Sequence, residues 1–305
     1  MRVRPPGPRP APSGVDMALT GPSAAASGQE NPPDRGAAPP PSGGTTTPGE
    51  PAPNVRAPAV EAARSPLSAV PAILAVSPLL RLAALRHAVP PGTASRTGCD
   101  ACGTTVVLTR PWPALGPAGR CGGCRARVGP PPGTVELAVL AAVVLLALVD
   151  APVGALAALA WWLGWTIPAV FVDVAVHRLP DRLTLPAAAG TWLLLGVATL
   201  GDAQTGPWLR AVTAGAGLAL LFAASTLLLG RRGFGLGDAK LTLGVGALLA
   251  WYGWPVLMFG MLLSFGLSAM VSLGLLATRR AGWATHLPFG PFLLLGTVGA
   301  LLAAT

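Results

Sequence analysis

The chain has 305 residues, of which 52% are hydrophobic and only 11% charged, and its mean hydropathy is +0.59. An ordinary soluble domain carries about twice that share of charge, so the composition excludes a soluble globular protein and indicates an integral membrane protein. The formal net charge of +9 comes from arginines scattered singly or in pairs and from a single lysine, Lys240, with no basic run, which argues against a nucleic-acid partner.

Residues 1–65 are rich in Pro, Ala, Gly, Ser and Thr and hold no apolar run able to build a core or a signal-peptide h-region. They are expected to form a disordered tail, with Met17 as an alternative start. From Pro66 onward apolar segments alternate with short polar ones, at 67–85, 135–149, 154–172, 185–200, 210–230, 241–254, 255–278 and 287–304. The expected fold class is all-α: a polytopic helical membrane protein with about seven to eight transmembrane helices. Several segments hold only about 15 clearly apolar residues where about 20 cross the hydrocarbon core, which implies tilt or local thinning. The first segment carries Pro71, Pro78 and Arg81 and reads as broken or interfacial, so 66–98 is treated as a degenerate apolar segment with its linker.

Arginine placement sets the expected orientation. After Pro66 the loops 86–133, 174–184, 231–240 and 279–286 carry 13 of the 15 Arg and Lys residues, and the loops near 150–153, 201–209 and 252–254 carry none. The first set is therefore expected to be cytoplasmic. Residues 99–133 lie in that set and contain Cys99, Cys102, Cys121 and Cys124, two Cys-x2-Cys pairs separated by 18 residues. Paired thiolates on two tight turns suit tetrahedral Zn2+, and a reducing compartment disfavours disulfides. Four thiolates leave no open position, so the expected role is a structural zinc-ribbon-like site. Gly103, Gly122 and Gly123 are expected to supply the backbone freedom of the turns.

Six acidic residues remain in 134–305, and two stand at the ends of apolar segments on the same expected face. Asp238, in "GFGLGDAKL", has a plain reading as a helix cap. Asp173, in "FVDVAVHRLPDRLTLP", has a plain reading as a charge snorkelling to water; an ionisable residue in such a span is equally a functional candidate. Asp181 and Thr184, beyond Pro180, read as turn and cap chemistry for the next helix. If Asp173 and Asp238 meet, they cannot both ionise easily, so one keeps a proton while the other acts as base on a water between them. The glycines Gly235 and Gly237 would let a substrate backbone approach. Pro288 and Gly290, in "HLPFGPF", read as helix breakers on that face.

Together these residues resemble the type IV prepilin peptidase family, membrane aspartic peptidases of the bacterial inner membrane. "GLGDAKL", "DVAVHRLPDRLTLP" and "LPFGPFLLLG" are similar to its motifs in their usual order, and the cysteine pairs followed by "TVEL" resemble its zinc-binding loop. The resemblance implies that 134–305 is a transmembrane aspartic peptidase domain with Asp173 and Asp238 as its catalytic pair. Gly235, Gly237, Lys240, Pro180, Pro288 and Gly290 would support the motifs or the substrate. The implied substrates are prepilins or pseudopilins, cut after a glycine at the cytoplasmic edge of their hydrophobic segment. Lys240 reads first as an anchor at lipid headgroups and second as a substrate-positioning charge.

Two departures stand out. The first segment lacks the family's Gly-Ser-Phe-x-Asn stretch, and the loop between the cysteine pairs is short and lacks its Asn-x-Pro. The family's second activity, methylation of the new N-terminus from S-adenosylmethionine, stays open, because no glycine-rich cofactor loop is recognisable. An ion-coupled transporter would use the same two aspartates, though nearer the midplane and with repeated halves. An inactive membrane scaffold organised by its zinc loop is the third reading. Oligomeric state is not readable from these residues.

Overall fold

The computed structural model describes residues 66–90, 92–108, 113–202, 205–230, 234–280, 282 and 287–304; the tail expected over 1–65 lies outside them. Eight helices follow in order: α1 (Pro66–His87), α2 (Thr134–Leu148), α3 (Val153–Val176), α4 (Asp181–Asp202), α5 (Gly206–Leu229), α6 (Leu236–Tyr252), α7 (Trp254–Ala277) and α8 (Gly290–Ala303). Among the described residues the only β-pairing is two isolated antiparallel bridges, Gly98 with Thr105 and Arg120 with Arg127.

Four helices, α3, α4, α5 and α7, are long and apolar enough to cross a membrane, whereas α2 and α8 are apolar but shorter. At 15 and 14 residues these two rise only about 22 and 21 Å, against a hydrocarbon core of about 30 Å. The protein is therefore a multi-pass membrane protein whose helices differ in reach, as the short apolar segments of the sequence foreshadowed.

Helix α6 is the hub of the bundle. Its residues from Leu241 to Ala250 are buried almost without a break, and it packs most extensively on α5 and next on α4. In lipid, helices gain little by hiding apolar surface from one another, so close backbone approach must hold them. A Cβ on Gly246 would lie 2.8 Å from the Cα of Gly215, and one on Gly215 would lie 2.6 Å from the Leu243 carbonyl oxygen. The helices α5 and α6 thus touch backbone to backbone. Trp192 of α4 donates its indole N–H to the Leu243 carbonyl at 3.0 Å, and Arg210 of α5 donates to the carbonyls of Ala250 and Trp251 at 2.5 and 2.7 Å, closing the C-terminal end of α6.

α1 is a continuous helix through Pro71 and Pro78, unlike the broken segment its sequence suggests. Arg81, the charge that made this span doubtful, is 1% exposed. Its guanidinium donates to both carboxylate oxygens of Glu136 in α2, at 2.8 and 2.6 Å, and to the carbonyls of Pro117, Pro130 and Pro131 at 3.2 to 3.4 Å. One side chain thereby joins α1, α2 and the loop between them. The same end of α1 packs Leu82 and Leu85 against Val106, Leu115, Val128 and the buried Cys99 and Cys121.

Breaking a buried pair by removing one partner leaves an uncompensated charge, at a cost of about 3–5 kcal/mol. Arg81→Ala should therefore lower the thermal unfolding midpoint in detergent sharply. Arg81→Met combined with Glu136→Met, which removes both charges, should lower it less.

Candidate active site

Asp173 lies in the last turn of α3, where Val172 and Asp173 are buried. Its carbonyl accepts the His177 N–H at 2.8 Å, and His177 turns the chain with a left-handed φ of 50°. Three residues later Pro180 opens the way into α4, its carbonyl accepting the amides of Leu183 and Thr184 at 2.9 and 3.1 Å. Of the two residues read as turn and cap chemistry here, Thr184 turns its hydroxyl back to the Pro180 carbonyl at 3.4 Å, while the Asp181 carboxylate accepts from Lys240.

Asp238 sits in the first turn of α6, and the helix starts at Leu236 instead of after the motif. Its Oδ2 accepts the Gly235 N–H at 3.2 Å, which is the reach-back half of a capping box. The plain reading of Asp238 as a cap is therefore correct as far as it goes. It occupies only one carboxylate oxygen.

The other oxygen has a second setting. Asp173 and Asp238 line one cavity of about 440 Å³ together with His177, Arg178, Leu179, Asp181, Gly235, Leu236, Gly237 and Lys240. Asp173 is 5% exposed, and its Oδ2 accepts the Gly290 N–H at 3.1 Å. Among the described residues the Oδ1 of each aspartate has no hydrogen-bond partner. Each carboxylate is thus anchored through one oxygen by a backbone amide, and its other oxygen is left without a partner among the described residues.

Two of the glycines read from the motifs are required by close approach. A Cβ on Gly290 would stand 2.8 Å from Asp173 Oδ2, and a Cβ on Gly237 would stand 2.9 Å from the Cβ of Leu179. Gly235 is exposed, and a Cβ there would meet nothing nearer than Asp238 Oδ2 at 3.4 Å. Pro288 precedes Gly290 by two residues at the start of α8 and is half-buried. Gly290 does more than break a helix, because its amide holds Asp173. Lys240, expected first at lipid headgroups, donates to Asp181 Oδ1 at 2.5 Å on the cavity wall.

A phenylalanine cluster beside the site was not foreseen. Phe234 and Phe289 lie 5.3 Å apart between ring centroids, tilted by 49°, and both contact Phe222 of α5 and Phe265 of α7 at 4.6 to 6.0 Å. Each of the two glycines whose amides hold the aspartates directly follows one of these rings, as Phe234-Gly235 and Phe289-Gly290. That repeated Phe-Gly step is the signal in the sequence that could have exposed the cluster.

The four cysteine sulfurs form a separate centre, all within 4.8 Å of one another, with Cys99 to Cys124 at 3.7 Å and Cys102 to Cys121 at 3.5 Å. Tetrahedral thiolates on zinc, with bonds of about 2.3 Å, lie about 3.8 Å apart, so these residues fit such a metal ion. The two knuckles match: Cys99 accepts from the Gly103 amide and Cys121 from the Arg125 amide, at 2.8 and 3.1 Å. Gly103 has the left-handed φ expected of it, 71°, but in the second knuckle Arg125, not Gly122 or Gly123, takes that conformation, at 58°. Gly123 serves space instead, since a Cβ there would lie 2.9 Å from Thr104 Oγ1. The hydroxyl and amide of Thr104 pull the Cys102 thiol down to about 6, which favours the metal-binding thiolate.

Fold and site together define a polytopic helical membrane protein with a cavity lined by two carboxylates and a separate four-cysteine cluster able to hold a metal ion. A family model described as the type IV leader peptidase family matches residues 157–273, which include both aspartates. The chain is 36% identical over 215 residues to a prepilin leader peptidase/N-methyltransferase of Aeromonas hydrophila, covering 68% of this chain and 71% of the relative. It is 34% identical over 227 residues to the protein of that name from Pseudomonas aeruginosa, covering 68% and 71%, and 33% identical over 220 residues to that of Burkholderia pseudomallei, covering 69% and 68%. No solved structure matches the chain. The chain belongs to the type IV leader peptidase family and is an enzyme, which sets aside the transporter and scaffold readings.

Overpacking a filled site costs about 1–3 kcal/mol, so Gly290→Ala and Gly237→Ala should each lower the unfolding midpoint in detergent. Gly235→Ala, at an open cap position with φ of −66°, should shift it by much less. Equal losses at all three positions would contradict the close contacts described.

Proposed function

We propose that this protein is an aspartic endopeptidase that removes the N-terminal leader of prepilin-like proteins, with Asp173 and Asp238 as the catalytic pair. The observation that carries this reading is the single cavity in which both carboxylates have one oxygen held by a backbone amide and one left over. Two such carboxylates share a proton and titrate as a unit. The ionised member takes a proton from a water held between them, and the protonated member polarises the scissile carbonyl. The water attacks, and the proton passes to the departing amine. Open space at Gly235 suits the approach of an extended substrate backbone.

The names of the relatives supply the substrate class, prepilins and by extension pseudopilins. Cleavage after a glycine is what the resemblance to the family implies. Inner-membrane placement with the cavity facing the cytoplasm follows from the arginine distribution. The relatives are also named N-methyltransferases, and S-adenosylmethionine would supply the methyl group for a new N-terminus. An adenine ring needs a flat apolar slot, and half of the ten residues lining the cavity are charged.

Cys99, Cys102, Cys121 and Cys124 would hold structural zinc. Its ligands complete the tetrahedron, so the ion would tie the two knuckles together and leave no coordination site for a reacting water. Purified wild-type protein should carry about one zinc per chain by elemental analysis. Cys121→Ser should lose most of it and loosen residues 99–128 toward protease, while retaining the helices.

Co-expression with a prepilin-type substrate tests the peptidase. Wild type should remove the leader, seen by gel mobility and N-terminal sequencing, and Asp173→Asn and Asp238→Asn should each lose about 10²–10⁴-fold in rate at equal membrane abundance. The mass of the new N-terminus reports any methylation. Cleavage that survives both substitutions would remove the aspartic mechanism.

A further inference from the structure

Asp181 and Lys240 are 59 residues apart in sequence and 2.5 Å apart in space. Both lie on the wall of the carboxylate cavity. Asp181 begins α4 directly after the short turn that leaves Asp173, and Lys240 follows Asp238 by two residues in α6. The ion pair therefore spans the two chain segments that bear the two carboxylates. A second contact runs beside it, where Leu179 in the same turn lies against Gly237.

Side-chain exposure separates this pair from Asp173. Lys240 and Asp181 are 34% and 60% exposed, whereas Asp173 is 5% exposed. The pair sits at the wet rim of the cavity. A half-exposed ion pair contributes little to folding stability, so stability alone gives weak reason for the only lysine of the chain to stand there. Geometry gives a stronger one. An error of about 1 Å at a reacting centre can cost about 10²-fold in rate, and this pair sets the spacing between α4 and α6 at the point where both carboxylates converge.

We propose that the Asp181–Lys240 ion pair is a positioning latch for peptide cleavage, holding the Asp173-bearing and Asp238-bearing segments at their working separation. Neither residue touches the reacting atoms. The latch rests on the peptidase reading above and adds two positioning residues to it. Asp181 had been read only as a helix cap, and Lys240 as a headgroup anchor or a substrate contact.

A double-mutant cycle on the full-length protein in phospholipid tests it, with a peptide substrate that has a leader ending in glycine followed by an apolar segment. Asp181→Asn and Lys240→Gln should each lower kcat by about tenfold or more, with KM changed less than about threefold and unfolding midpoints close to wild type. Because the two act as one unit, the double variant should be no worse than the poorer single, and Lys240→Arg should recover most of the rate. The latch is overturned by singles with kcat within twofold of wild type, by a loss carried in KM alone, or by losses that multiply in the double variant. Asp173→Asn in the same preparation keeps the two questions apart. If wild type cleaves and Asp173→Asn does not, the peptidase reading stands and the cycle judges the latch. If wild type does not cleave, or Asp173→Asn cleaves like wild type, the peptidase reading itself fails and the latch falls with it.

Discussion

The hydrogen bond from the Gly290 amide to Asp173 Oδ2 is the interaction on which the site depends. A carboxylate that is 5% exposed at the end of a membrane helix has little water to satisfy it. Placing an amide there requires backbone from another element at van der Waals range, which only a residue without Cβ permits. The start of α8 is therefore built around Asp173, 117 residues away. Asp238 solves the same problem locally, by folding its carboxylate back onto the amide at the start of its own helix. The two solutions differ in range but have one result: each aspartate is oriented by backbone, which cannot rotate away as a side chain can.

Rigidity of those backbone donors comes from the surrounding bundle. Phe234 and Phe289 fix the segments just before the two glycines against each other and against α5 and α7, and the Thr226 hydroxyl of α5 donates to the Phe234 carbonyl. Behind them α6 lies backbone to backbone on α5 and is closed at its far end by Arg210. Helices α5 and α7 are mostly exposed. Even so, α5 supplies polar geometry through Thr226 and Arg210, whereas α7 contributes to the site chiefly through the ring of Phe265.

Local chemistry was legible in the sequence and tertiary partnership was not. Apolar runs marked the eight helices, the Cys-x2-Cys spacing marked the sulfur cluster, and two acidic residues at the ends of apolar runs marked the carboxylate pair. Each of those signals lies within a few residues of its cause. Arg81 shows the limit: as a charge in an apolar run it argued against a regular helix, and only Glu136, 55 residues later, reconciles it. Lys240 shows it again, since a lysine near a membrane boundary has a sufficient explanation in headgroups until Asp181 is found beside it. Gly290 was read for what glycine does to its own chain, whereas its role is what its amide does for another. Boundaries shifted for a related reason, because α6 recruits the Gly-Asp step into its first turn through capping bonds that hydropathy does not register.

The cysteine centre and the carboxylate cavity are separate, yet both are anchored to the same framework. Arg81 binds the loop carbonyls that follow the second knuckle and the carboxylate at the start of α2, while α1 packs on α3 as well as on α2. The helix that carries Asp173 is therefore one packing layer from the helix that packs on the cysteine cluster. A disturbance of the cysteine loop would reach the carboxylates through α1 and α2, both of which pack on α3, and the buried ion pair between Arg81 and Glu136 resists it. The cysteine loop consequently contributes to the fold of the bundle's edge, and the chemistry of the site is set by α3, α4, α6 and the start of α8.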